Sequence, residues 1–182
     1  MVSFESTTDD TGAWDLASVV AYVADDAAVV NRRDSSSGRS LLHEACVHGQ
    51  KHVVVYLLEH TPCDLHSTTM LGRATALHLA VHAAHRNLVF WLLSYGADAT
   101  AKDRFGSTPL HYCTKRTIAQ HLMQFGARCL TSNRRRQTAA LAIKTNVDAD
   151  ADLKEFIANV AIQEAEARKA AMRAAKRPKL LK

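Results

Sequence analysis

The sequence predicts an all-α solenoid of helix-turn-helix units with short finger loops, plus a C-terminal helix. Three observations carry this. Gly38, Gly72 and Gly106 recur every 34 residues, and His43, His78 and His111 recur at spacings of 35 and 33. These residues sit in one echoed string: Gly38-Arg39-Ser40-Leu41-Leu42-His43-Glu44-Ala45, then Gly72-Arg73-Ala74-Thr75-Ala76-Leu77-His78-Leu79-Ala80, then Gly106-Ser107-Thr108-Pro109-Leu110-His111-Tyr112. After the first two strings come the apolar runs Val53–Leu58 and Leu88–Leu93. A fixed period of this length marks a stack of units, each burying its apolar face against its neighbours.

The elements follow in order. Ala13–Val23 has the apolar pattern of a second helix, and Val30-Asn31-Arg32-Arg33-Asp34 reads as the finger after it. Leu42–His48 is the first helix of the first full copy, and Val53–Leu58 lies in its second. The next finger, Ser67–Leu71, lacks an acidic residue and is apolar at Met70-Leu71. Thr75 opens a helix through about Ala83. Asn87–Leu93 is the following helix, stopped at Gly96 of Tyr95-Gly96-Ala97-Asp98.

Asp103-Arg104-Phe105-Gly106 is a turn tip, where Gly106 allows positive φ. Thr108 is an N-cap, and Pro109 suits the first helical turn. Tyr112–Thr117 replaces the longer Glu44–His52 segment, so the third unit is short and irregular stacking is expected. In the fourth finger Arg136 stands for glycine, and Arg136–Leu141 is a weak helix start. Leu153, Phe156, Ile157 and Val160 have helical spacing and should dock on the last unit. Beyond Gln163 the apolar residues are mainly alanine, which suggests an exposed helix.

Taken with their order, these strings resemble ankyrin repeats. That family starts its first helix with Thr-Pro-Leu-His-x-Ala, runs Val-Val-x-Leu-Leu-Leu in its second, and ends on Gly-Ala-Asp. Ser40–Asp64, Thr75–Asp98 and Thr108–Ala127 match in order, and the resemblance extends over roughly residues 10–160. The expected division is 1–12 as an N-terminal segment and 13–160 as the repeat domain. Within the latter, 13–38 is an N-cap unit, 39–71 and 72–105 are repeats, 106–134 is a shortened repeat, and 135–160 is a C-cap unit. Residues 161–182 form the C-terminal helix and basic tail.

Charge divides the chain. The net charge is +5 over 182 residues. Arg168, Lys169, Arg173, Lys176, Arg177, Lys179 and Lys182 fall within 168–182 with no acid among them, and without these seven the rest carries −2. Arguments for an acidic partner therefore begin with the tail. Phe4–Asp10 is polar and acidic rather than a signal peptide, and Asp25 and Asp26 interrupt the apolar run Leu16–Val30, so no membrane span is expected. Four cysteines without Cys-x-x-Cys spacing suit a reducing compartment.

Catalytic and metal chemistry find little footing. His43, Cys46, His48 and His52 lie close in sequence, as do His78, His82 and His85. Yet no His-Glu-x-x-His string occurs, and the first four project to different faces of a helix. The resemblance implies that His43, His78 and His111 bond loop backbone between neighbouring units, and that His85 takes the inter-helix position. No Gly-x-Ser-x-Gly elbow or phosphate loop appears. Cys46 and Cys113 occupy small apolar slots, whereas Cys63 and Cys129 lie near loops and read as more exposed. No catalytic residue, cofactor or metal ligand is assigned.

The resemblance implies partner contact through finger tips and exposed first-helix positions. On the fingers these are Arg33, Asp34, Met70, Leu71, Arg104, Phe105, Arg134, Arg135 and Arg136. On the first helices they are Glu44, Val47, His48, Leu79, His82, Tyr112, Lys115 and Arg116. Aromatic, Met and Arg side chains suit a protein interface. Phe90, Trp91 and Val55 mark a second apolar strip on the convex side, weighed against ordinary partial burial.

The expected function is a non-enzymatic adaptor or scaffold that binds another protein, its basic tail making a second contact. Lys176-Arg177-Pro178-Lys179 fits a nuclear-import pattern, and the tail also suits an acidic protein surface or nucleic acid. The alternative is a structural subunit of a large intracellular assembly, cytoskeletal or ribonucleoprotein. A cytoplasmic, cytoskeletal or nuclear setting is expected, with no membrane and no small-molecule substrate.

Overall fold

The computed structural model describes residues 16–25 and 27–175. Its helices are α1 (Leu16–Asp25), α2 (Leu41–Val47), α3 (Lys51–His60), α4 (Ala76–His82), α5 (Arg86–Ser94), α6 (Arg116–Gln124), α7 (Ala139–Thr145) and α8 (Ala151–Ala175). Ala27–Asn31 and Pro109–Tyr112 are 3₁₀ segments. Among the described residues no extended strand forms, and Thr68–Thr75 and Ser132–Thr138 are isolated bridges at finger necks. The expected residues 1–15 and Lys176, Arg177, Lys179 and Lys182 lie outside the described residues.

Two helical layers result. α2, α4, the Pro109–Tyr112 turn and α7 stack in sequence, while α5, α6 and α8 stack behind them. The second-layer helices bury residues at the same spacing: Val53, Val54 and Leu57; Leu88, Val89 and Leu92; Ile118, Ala119 and Leu122. This i, i+1, i+4 stripe faces the first layer. There Ala45, Ala80 and Ala139 are fully buried, and their small size lets the layers approach. Each buried Leu or Ile contributes about 1.5–3 kcal/mol.

One hydrogen-bond bracket locks successive units. The Nδ1 atoms of His43, His78 and His111 accept the backbone N–H of Ser40, Thr75 and Thr108, at 3.2, 3.3 and 3.0 Å. Their Nε2 atoms meet the carbonyls of Ser67, Ser107 and Gln137 in the next finger, at 3.2, 3.1 and 3.3 Å. A carbonyl only accepts and an amide only donates, so each ring is neutral with its proton on Nε2. Burial lowers all three imidazole pKa values, that of His43 to about 4. In the last copy Leu141 takes the histidine's place and is exposed. No further finger follows it among the described residues, and Thr138 Oγ1 caps α7 alone by accepting the Leu141 amide.

The glycine echo needs a correction. Gly38 and Gly106 hold positive φ, at 65° and 72°, but in the middle copy that role falls to Arg73 at 50° and not to Gly72. Counting Arg73 gives steps of 35 and 33 residues, the histidine spacing. Arg136, with φ 58°, fills the fourth finger's position. A similar substitution marks the turn between paired helices, where Gly49 (φ 71°) is matched by Ala84 (φ 58°).

The short third unit resolves by collapse of its first helix. Pro109–Tyr112 is a single 3₁₀ turn, yet His78 and His111 keep their brackets to the neighbouring fingers. The stack therefore continues in register, contrary to the irregularity expected from its length. α8 is long and only its first part docks. Leu153 and Ile157 are buried, Glu164 and Ala165 are half-buried, and 166–175 are exposed.

Candidate partner-binding surface

Each finger is built by its first residue. Asp34 Oδ2 accepts the amides of Ser36 and Ser37 at 3.1 and 2.7 Å. Thr69 Oγ1 accepts the Ala74 amide at 3.1 Å, replacing the missing acid. Asp103 Oδ1 accepts from Phe105 and Ser107 at 2.8 and 2.9 Å, and Asn133 Oδ1 from Arg135 and Gln137 at 3.0 Å each. The Ser36 and Ser37 hydrogen bonds hold the Asp34 carboxyl down at about 2. Neighbouring fingers are then tied by backbone: Met70 N–H to Gly38 O, Arg104 N–H to Gly72 O, Arg134 N–H to Phe105 O.

Side chains beyond these anchors are free to project. Met70 and Leu71 are 64% and 69% exposed on the second finger, and Phe105 is 51% exposed on the third. The Arg135 guanidinium lies 6.0 Å from the Phe105 ring centre. Behind them a cavity of about 240 Å³ is lined by Phe105, His111, Tyr112, Asn133 and Arg135 among others. The Tyr112 hydroxyl donates to Asp103 Oδ2, and its ring stands 6.3 Å from that of His82. Burial, and then the Asp103 bond, push the Tyr112 phenol up to about 12. The Phe105 tip, the Arg135 guanidinium and the fixed Tyr112 phenol thus line one cavity.

The remaining predicted residues scatter. Arg33, His48, Arg104, Arg134 and Arg136 are exposed, and Val47 and Leu79 are half-buried. Glu44 faces its own finger, accepting from Ser37 and pairing with Arg39 at 3.4 Å. Lys115 and Arg116 need correction: they begin α6 and not a first helix. Lys115 pairs with Asp150 at 3.0 Å, and Arg116 pairs with Asp152 at 2.6 Å and lies 5.0 Å over the Phe156 ring. Both side chains thus link the start of α6 to the start of α8. Arg168, Lys169 and Arg173 sit on the exposed part of α8.

The histidine and cysteine groups disperse as well. His43 and Cys46 are buried while His48 and His52 are exposed, and His85 Nε2 bonds the Val47 carbonyl at 2.9 Å. Among the described residues no three His, Cys, Asp or Glu side chains gather as a metal site. Cys129 is fully buried, which corrects its expected exposure, and Cys63 is half-buried. Burial pushes the Cys63, Cys113 and Cys129 thiols up to about 12, so none is poised as a nucleophile. No helix among the described residues is long and apolar enough to cross a membrane.

On the convex side Phe90 is 45% exposed and its ring lies 5.3 Å from that of His121. Trp91 is half-buried beneath the Lys51 ammonium, 4.4 Å from the ring centre, and Val55 is half-buried. Arg73, Lys102 and Arg128, which no motif in the sequence singles out, are exposed as well.

Comparison with known proteins agrees with this architecture. A family profile described as ankyrin repeats (3 copies) matches residues 16–103 and, overlapping, 62–134. Diacylglycerol kinase zeta of Rattus norvegicus is 36% identical over 77 residues, 42% of this chain and 8% of that protein. NF-kappa-B inhibitor epsilon of Homo sapiens is 36% identical over 100 residues, 55% of this chain and 19% of that protein. BCL-6 corepressor-like protein 1 of Homo sapiens is 33% identical over 115 residues, 60% of this chain and 6% of that protein. The chain spans less than a fifth of each of these relatives. Ankyrin repeats are protein–protein interaction modules, generally without catalytic activity. With matched repeats, bracket histidines and paired helices in agreement, the chain belongs to the ankyrin-repeat family.

Proposed function

We propose that this chain is an adaptor or scaffold whose partner protein docks on the second and third fingers and the first-helix face behind them. One observation carries the reading: Met70, Leu71 and Phe105 are exposed on adjacent fingers that backbone bonds hold together. Large apolar side chains on a rigid scaffold, bordered by Arg104 and Arg135, have the composition of an interface centre. The basic part of α8 supplies a second, electrostatic contact. Four unpaired thiols support a reducing intracellular setting.

The test replaces Leu71 and Phe105 together by alanine in the full chain and compares proteins captured from native cells. Both side chains are exposed, so the melting temperature stays within a few degrees, while partner capture falls by about tenfold or more. Unchanged capture contradicts the reading. A second reading, subunit of a large assembly, is favoured by the exposed stretch 166–175 of α8. It predicts co-sedimentation with a particle and release on deleting that stretch.

A further inference from the structure

Two open grooves meet at Ser132. The first, of about 460 Å³, lies between fingers and is lined by Arg73, Lys102 and Arg134, with Asp103, Gly106 and Asn133. The second, of about 490 Å³, lies against α8 and is lined by Arg128 and Arg168, with Leu130, Thr131 and Glu164. Ser132 lines both, so five cations follow one another from the second finger to α8. The first groove shares only Asn133 with the cavity behind Phe105.

These cations outnumber the acids beside them. None of the five belongs to an ion pair among the described residues. The two acids present are already engaged. Asp103 accepts the Phe105 and Ser107 amides and the Tyr112 hydroxyl, and Glu164 accepts the Cys129 and Leu130 amides. Five cations against two carboxylates leave the band net positive, and a band of this kind concentrates anions.

We propose that this band receives an extended acidic segment of a partner protein. The proposal rests on the chain being a protein-binding module, but it uses a surface separate from the Phe105 face. The band is longer than a single small anion can span. Fingers two to four span two unit steps of about 10 Å each, the packing distance of neighbouring helices. An extended chain advances about 3.3 Å per residue, so about six residues cross the first groove and more reach Arg168. Guanidinium groups, four of the five cations, pair with carboxylates through two parallel hydrogen bonds. Single-stranded nucleic acid fits less well, because it is held by stacking on aromatic rings and neither groove is lined by one.

The test titrates the full chain into a fluorescent ten-residue Asp/Glu peptide and follows anisotropy. Binding is expected at about 50 mM salt and lost near 1 M, where screening shortens to about 3 Å. Lys102→Glu with Arg134→Glu weakens it about tenfold or more, and Lys102→Gln with Arg134→Gln by an intermediate factor. Phe105→Ala leaves it unchanged. Circular dichroism melts establish that each variant is folded. Equal peptide binding by wild type and the folded charge reversal overturns the proposal. So does tighter binding of a single-stranded RNA of equal charge that displaces the peptide. Loss of native partners on the Leu71 and Phe105 substitutions, with no peptide binding by wild type, overturns the band and leaves the finger-face reading standing.

Discussion

The Glu164 carboxylate accepts the Leu130 amide at 3.2 Å, from 34 residues away. In the two preceding copies the same amide is held locally: Asp64 takes that of His66 at 2.9 Å, and Asp98 that of Thr100 at 2.7 Å. The third copy has Arg128 at the aspartate's position, and α8 returns the missing carboxylate. A loop defect and a helix dock are thus one arrangement.

Replacing Glu164 by Ala should lower stability by about 1–2 kcal/mol, the scale of a lost carboxylate–amide cap. Adding Arg128→Asp should recover most of this, by restoring the local acceptor. Urea denaturation of the two single variants and the double variant reads the coupling. Strict additivity would contradict the exchange of roles. Because Glu164 belongs to the docked region, a tail deletion that spares the repeats begins at 166 and not at 164.

Acid should loosen the stack through its bracket histidines. A depressed folded-state pKa means the unfolded chain takes up protons first as pH falls. Stability is therefore full above the ordinary imidazole value of 6.5 and falls below it, levelling for His43 only near pH 4. For His43 the slope is on the order of 1 kcal/mol per pH unit. Urea midpoints measured between pH 7.5 and 4.5 should drop for wild type and drop less for His43→Gln. Equal slopes would deny the bracket its role.

Backbone strain offers a test of opposite sign. Ala84 and Arg136 hold positive φ that glycine adopts freely, so Ala84→Gly and Arg136→Gly should each raise stability by about 0.5–1 kcal/mol. Gly49→Ala should cost more than either gains. Its new Cβ would lie 2.5 Å from the His85 ring, which is fixed by its bond to the Val47 carbonyl. Thermal melts of the three variants check the signs.

The buried thiols should react with a disulfide reagent only as the fold opens, apart from half-buried Cys63, which should react first. One fast-reacting thiol other than Cys63 would contradict the packing of the core.

What was legible in the sequence was local. Ser40 or Thr108 with a histidine three residues on declares a helix start, because the amide and the Nδ1 that it meets lie in one turn. The equal glycine spacing misled, since a finger can be turned by Arg73 while Gly72 sits beside it. Lys115 and Arg116 read as first-helix residues until that helix shrank to one 3₁₀ turn and left them at the start of α6. The Glu164 bond and the Arg73–Arg168 band could not be read at all. Each joins groups that only stacking brings together, and no short string contains them.

On the proposed function the finger face, and not the convex face, meets a partner. A photo-crosslinking amino acid placed at position 105, and separately at position 90, distinguishes the two faces in native cells. Both sites are about half exposed, at 51% and 45%, so they sample solvent alike. A discrete protein adduct is expected from position 105, diminished by Leu71→Ala, and none from position 90. A discrete adduct from position 90 with none from position 105 would place the partner on the convex face instead.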